Sequence, residues 1–399
     1  MEPLDKRSAA ARLSLTVAML AAALAMTACE TLYPTAPKRR PTTTASKPQA
    51  PYPQPPAQQP PHTGVEVGKV TSPLDALPTA PDTTHPYGGA STANSAQVNA
   101  MFNQAANLGR EGKLNDAIRI YQDIEQNYGN QNYGWGAWAL FYQGELYRQL
   151  RNFKSAAAAY DRVNQRYGME RDAALRTIVA DSLEKKGDAL AELNDVKGAI
   201  AAYEETGRHF GNDSDAAMRL RALRSLFKEG MLLQRKGAGT EGEYSIPSAN
   251  GLPVGDTAAA ITVYDDIVAR FGRESDPGIR NAIGGTLLQK SEALRLLGNN
   301  RETIVVYDDI VRRFERDSTV VSRKLVATAL YRKGLAQSRQ GDRMGAAASF
   351  DDVVARFASE PDTGIRKLVE MSVAAKRKLD GDSLTPQLET NEPPPLYDN

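Results

Sequence analysis

Three stretches of the chain share one order of apolar and polar positions: Tyr264-Asp265-Asp266-Ile267-Val268-Ala269-Arg270-Phe271, Tyr307-Asp308-Asp309-Ile310-Val311-Arg312-Arg313-Phe314 and Phe350-Asp351-Asp352-Val353-Val354-Ala355-Arg356-Phe357. In each, the opening and closing aromatics stand seven residues apart, which is two helical turns, so both rings lie on one face. The acids and arginine fall on the other side, and the pattern predicts an amphipathic helix. Weaker copies pair Tyr121 with Tyr128, Tyr160 with Tyr167 and Tyr203 with Phe210. Copies therefore begin at 121, 160, 203, 264, 307 and 350, and three of the five intervals are 43 residues. The interval of 61 is the same period plus an insertion of 18, placed at about 238–255, and the first interval shortens to 39. A fixed period of this size is the mark of a stacked-repeat architecture.

The upstream half of each unit repeats as well. Gly144, Gly187 and Gly334 each stand twelve residues before an alanine (Ala156, Ala199, Ala346), and that alanine precedes the aromatic by four. Gly230 and Ala260 keep the same relation once the insertion is removed; Ala105 and Ser291 replace the glycine in copies one and five, and Thr303 replaces the alanine in copy five. Two antiparallel helices approach closely only where side chains are small, and an aromatic one turn later fills the adjoining space. Gly112, Gly237, Gly298 and Gly341 share one position between the two helices, where a left-handed residue closes the first helix. This constellation resembles the tetratricopeptide repeat over about residues 95–380.

The resemblance implies an all-α fold: a right-handed superhelical solenoid of about six helical hairpins, closed by a capping helix whose exposed face carries Lys367, Lys376 and Lys378. The usual repeat is about 34 residues, so the longer period here predicts a first helix extended at its start by about two turns. The family's inner groove is lined mainly by the first helix of each hairpin. Three residues before the repeat glycine that gives Phe102, Phe141, Glu184, Phe227, Leu288 and Tyr331, and four or five after it Arg110, Arg148, Arg235, Arg295 and Arg339. Trp138 stands one turn before Phe141, and Trp135 shares the shortened junction of copies one and two. Aromatics beside arginines are what protein-recognition hot spots favour. The same rings at helical spacing also serve packing between helices.

Composition separates the two ends from this body. Of 23 prolines, 14 fall between Pro34 and Pro86, and residues 29–94 read as a proline-rich tether that cannot bury a core. Fully extended, it would span about 200 Å. Residues 1–28 combine Lys6, Arg7 and Arg12 with the apolar run Leu13–Met26 and end in Met26-Thr27-Ala28 before Cys29. The apolar run suits a signal peptide rather than a membrane span. It resembles the leader of bacterial lipoproteins, which implies lipidation (palmitate among the acyl chains) at Cys29. In such lipoproteins an Asp after the cysteine is the usual inner-membrane retention signal, so Glu30 at that position makes the resemblance imply the outer membrane, with the body in the periplasm. Residues 381–399 read as an acidic, proline-rich tail, whose Pro394-Pro395-Leu396-Tyr397 matches a WW-domain ligand by chance.

Little else in the sequence carries chemistry. Lys+Arg 49 against Asp+Glu 48 gives a net charge of +1, with no basic excess for nucleic acid. One cysteine and three histidines (His62, His85, His209) offer no metal-ligand spacing and no nucleophile–base pair. Gly237-Ala238-Gly239-Thr240-Glu241-Gly242 spells a dinucleotide fingerprint, yet it follows a predicted helix rather than a strand. Asp265-Asp266, Asp308-Asp309 and Asp351-Asp352 recur in unit after unit, as a structural element does and a catalytic pair does not. The second acid of each pair precedes an arginine by four, a favourable spacing on a helix surface. The sequence thus predicts no catalytic residues, no cofactor and no metal. It predicts a lipid-anchored envelope scaffold whose partners are other envelope proteins or peptides. Its rivals are a structural spacer between outer membrane and wall, and a non-catalytic activator of an envelope enzyme.

Overall fold

The computed structural model describes residues 92–236 and 256–381, with two short strands between them. The described residues form thirteen α-helices in chain order. Six hairpins pair α1 (Thr92–Arg110) with α2 (Leu114–Tyr128), α3 (Tyr133–Gln149) with α4 (Phe153–Tyr167), α5 (Ala173–Glu192) with α6 (Val196–Phe210), α7 (Ala216–Lys236) with α8 (Thr257–Phe271), α9 (Pro277–Leu296) with α10 (Asn300–Phe314), and α11 (Val320–Arg339) with α12 (Arg343–Phe357). Helix α13 (Thr363–Asp380) stands last. The leader, Cys29, the bulk of the proline-rich segment and the acidic tail lie outside the described residues. Helix α1 begins at Thr92, slightly earlier than the sequence pattern places the body.

Every second helix is 15 residues long. The first helices run from 17 to 21 residues, so the extra length of the period sits in them. Start signals are local: the Asp172, Asp195, Asp256, Asp276, Asp342 and Asp362 carboxylates each accept a backbone N–H of the first turn, which offsets the unpaired donors there. Stop signals are backbone geometry. Gly112, Gly298 and Gly341 have positive φ, and Arg151 and Asn194 hold the same left-handed position in units two and three.

The repeat glycines are a spatial requirement. A Cβ added at Gly144, Gly187 or Gly230 would stand 2.4 Å from the ring of Tyr160, Tyr203 or Tyr264, and one at Gly334 would stand 2.6 Å from Phe350. Each ring is at most 3% exposed, and burying one contributes about 2 kcal/mol. Units one and five place Ala105 and Ser291 at this position; both are fully buried, and the Ser291 hydroxyl donates to the Leu288 carbonyl at 2.7 Å.

Each helix packs on its chain neighbour, and first helices also touch across units: α3 on α5, α5 on α7, α7 on α9, α9 on α11, α11 on α13. Second helices make no comparable contact with one another. A row of helices that packs closer than its partner row lies on the inside of the curve, so the first helices form the inner face of this solenoid. One apolar cluster runs unbroken from α3 to α13. A second joins α1, α2 and α3, and Trp138 and Phe141 touch both. Between α7 and α8, Ile246–Pro247 (β1) and Pro253–Val254 (β2) form an antiparallel pair, with β2 against α7. No described helix is long and apolar enough to cross a membrane.

Candidate functional site

The residues three before the repeat glycine do one thing repeatedly. Phe102, Phe141, Phe227 and Tyr331 each place their ring 5.7–6.0 Å from the aromatic of their own second helix: Tyr121, Tyr160, Tyr264 and Phe350. Phe102 and Tyr331 are buried, and so is Trp135 at the start of α3. These three therefore sit in the core rather than on a display surface, because the long first helices bury a wide face against the next unit. Phe141, Phe227 and Trp138 are partly exposed. Trp138 meets Phe141 edge-on at 5.8 Å and stacks on Tyr142 at 5.3 Å.

The arginines are less free than a row of cations. Arg148 bonds Glu145 at 2.8 Å, and Arg295 bonds Glu292 in the same i, i+3 relation. Arg110 bonds Asn107, and Arg339 is exposed at the end of α11. The Arg235 side chain lies outside the described residues. Both paired acids directly follow the repeat small residue, a position the sequence pattern had not singled out. Burial acts to raise the Glu145 carboxyl, but the charges of Lys185 and Arg148 and the hydrogen bonds from Arg148 and Tyr160 hold it below the usual carboxylate range. Glu292 is likewise held low against burial, by Arg295 and then by the Arg332 and Arg339 charges.

At the middle of the inner face the side chains form a connected polar cluster. Lys228 on α7 donates to Glu184 at 2.6 Å and to Asp188 at 2.8 and 2.9 Å, both on α5. The Tyr203 hydroxyl donates to Asp188 at 2.8 Å, as Tyr160 does to Glu145 at 2.6 Å and Tyr264 to Gln234 at 2.7 Å. Lys228 stays charged because the two carboxylates outweigh the cost of its burial. Nearby, Arg221 bonds Asp181 at 2.8 Å. This face offers both signs of charge, aligned tyrosines and a patch of half-exposed rings at Trp138 and Phe141. Among the described residues no group of three or more His, Cys, Asp or Glu side chains is placed to hold a metal ion.

The sequence pattern of the tetratricopeptide repeat matches residues 138–168 and 328–359. The chain carries tetratricopeptide repeats. Each match starts inside a first helix and runs through the whole second helix, so the α11 residues before 328 are the predicted extension of about two turns. Among solved structures, the chain is similar to the Rap conjugation gene regulator of the plasmid pLS20 in complex with the Phr* peptide (12% identity, 73% of this chain and 78% of that one, TM-score 0.32). It is also similar to the tetratricopeptide-repeat domain of P58(IPK) (13% identity, 72% of this chain and 67% of that one, TM-score 0.24). Likeness that loose leaves the fold resting on the repeat geometry itself. No curated protein matches the chain significantly in sequence.

Two ladders of ion pairs escaped the sequence pattern. In the first, an arginine in the opening turn of a first helix reaches the acid just past its own second helix: Arg176 to Asp213, Arg219 to Glu274 at 2.9 Å, Arg280 to Asp317 at 3.9 Å, Arg323 to Glu360. In the second, a lysine reaches back to the preceding unit, from directly before the repeat small residue in Lys186 to Asp161 and Lys333 to Asp308 at 2.5 Å and Lys290 to Asp265, and from the same register before Arg377 in Lys376 to Asp351 at 2.6 Å. The first acid of each Asp-Asp pair is thus a tie between units. The second acids bond Arg270, Arg313 and Arg356 at 2.6–2.8 Å, as their spacing predicts. The missed signal was a constant separation of 25 residues between acid and lysine.

Proposed function

We propose that this protein is a cell-envelope lipoprotein that presents its solenoid, on the proline-rich tether, as a docking scaffold for other envelope proteins or peptides. Tetratricopeptide repeats imply a protein-interaction scaffold, and no enzymatic family is indicated. The observation that carries the docking surface is the patch of half-exposed rings at Trp138 and Phe141, continuous with the Glu145–Arg148 pair on the inner face. Rigid rings beside charged hydrogen-bonding groups are what a peptide-binding groove needs. The Rap regulator named above was solved with a peptide; here the groove residues themselves argue for a peptide or protein ligand.

The experiment compares the wild-type chain with the Trp138→Ala/Arg148→Ala double variant in capture of envelope partners. The variant is expected to lose partners that the wild type holds, at unchanged helicity; equal capture by both overturns groove docking. For the anchor, metabolic labelling with a palmitate analogue is expected to mark the wild type and not Cys29→Ser. An unlabelled wild type overturns the lipoprotein assignment and leaves the docking surface to stand on its own test.

A further inference from the structure

The lysine ladder has one inverted rung. Four of the six joints are tied by a lysine at one register position, directly before the repeat small residue in three units and before Arg377 in α13, and an acid 25 residues earlier. At the joint of units one and two the corresponding residues are Gln143 and Gln122, both neutral. At the joint of units three and four they are Glu229 and Glu204: a carboxylate stands where the ladder requires a lysine, opposite the carboxylate it would have bonded. Glu229 is 5% exposed. The shorter side chain stops in the interior, where a lysine reaches the surface acid.

The surroundings supply no replacement cation of full effect. From α6 Glu204 faces it, and from α8 Asp266 and Arg270. Arg270 is bonded to Asp266 at 2.8 Å, so the two largely cancel. The acids of α5 that reach α7 are paired with other residues of it, Asp181 with Arg221, and Glu184 and Asp188 with Lys228. On α9, Lys290 is bonded to Asp265 and Glu292 to Arg295. The within-unit ladder remains intact here through Arg219 and Glu274. The irregularity is therefore confined to the joint between units and does not extend to the hairpin.

We propose that the joint between the third and fourth units is a pH-sensitive hinge of the solenoid, tight when Glu229 is neutral and loosened when it is ionised. Burial, followed by the Glu204 and Asp266 charges, pushes the Glu229 carboxyl up to about 7 against the pull of Arg270. The sign follows. A carboxyl whose pKa is raised by folding contributes stability that is complete below its unfolded value of 4.5 and lost as pH rises through about 7. The joint is tight in mild acid and slack in mild base. The change acts on α6 and α7, next to the Lys228 cluster, and so alters the curvature of the inner face at its centre.

Hydrogen exchange of the full chain, corrected for intrinsic rates, tests this at about pH 5.5 and 8. Amide protection in α6 and α7 is expected to fall by about tenfold more than in α10 and α11, a pKa change of one unit being tenfold in the local equilibrium. Glu229→Gln removes that difference. Glu204→Gln retains the titrating group and moves the midpoint lower. Glu229→Lys completes the ladder against Glu204 and raises protection at the higher pH. A wild type whose third joint follows the fifth at both pH values overturns the hinge, and so does a pH dependence that survives in Glu229→Gln.

Discussion

Units three and four and units five and six share a backbone plan and differ in what they place on it. Three residues before the repeat small residue, unit three carries Glu184, whereas units five and six carry Leu288 and Tyr331. One residue before it, unit four carries Glu229, whereas units five and six carry Lys290 and Lys333. The later units are held by hydrocarbon contact and by lysine ties near the surface. The middle units hold a half-buried ionised cluster of Lys228, Glu184 and Asp188 and lack the lysine tie. The repeat therefore tolerates polar substitution at its inner face provided each charge meets a partner from the next first helix. Where that condition fails, at Glu229, the joint becomes the place where solution conditions act on the fold.

The largest effect that would sharpen the contrast is expected at Lys228. Lys228→Met removes the cation bonded to the buried Glu184 and the partly buried Asp188 and is expected to cost about 3 kcal/mol in urea unfolding at neutral pH. Glu184 is held low in the folded chain by Lys228 and Arg224, against burial. Its contribution is present above 4.5 and lost as pH falls through its folded pKa. The penalty in Lys228→Met is therefore expected to shrink in acid; a penalty that stays constant from pH 7 to 3 would show that Lys228 acts through packing alone. The sign is opposite to that of Glu229, although both carboxylates lie on first helices of adjacent units.

Gly334→Val, in the regular region, forces a side chain into the Phe350 ring and is expected to cost about 2 kcal/mol. Ser291→Gly, at the same register in unit five, is expected to change stability by less than about 1 kcal/mol, measured in the same melts. Equal costs would mean that the glycine position is not governed by ring contact. Lys333→Glu writes the Glu204–Glu229 arrangement into the joint of units five and six. Asp308 is more than half exposed, so screening limits the loss to about 0.5–1 kcal/mol; a null result at low salt would break the comparison. The smallest effect is a gain. Arg151→Gly relieves a left-handed residue with a Cβ and is expected to stabilise by about 0.5–1 kcal/mol, read as a rise in Tm.

Much of this fold was legible because its determinants are local and periodic. Helix starts follow from aspartates at fixed offsets, and helix stops from Gly112, Gly298 and Gly341. The close approach of the two helices follows from Gly144 and Tyr160 recurring sixteen residues apart. Arg151 shows the limit of that legibility, since the left-handed turn falls there on a residue that does not favour it, whereas Asn194 is the common substitute for glycine at this position. The candidate site was legible only as a register. The positions facing inward could be named, but Phe102, Trp135 and Tyr331 proved buried, because their depth depends on how far the neighbouring unit closes over them.

The chain by itself determined the number of hairpins, their phase, the small-residue contacts and the helical surface pairs of Arg270, Arg313 and Arg356, all of which depend on separations within one or two helices. Tertiary structure alone decided which charges meet between units. Asp161 and Lys186 are joined by the way the second helix of one unit packs on the first helix of the next, and Glu184 and Lys228 by the way two successive first helices meet. The packing of α6 on α7 sets Glu229 against Glu204. A separation of 25 residues has no meaning along a single helix, and it acquires one only when two units are stacked.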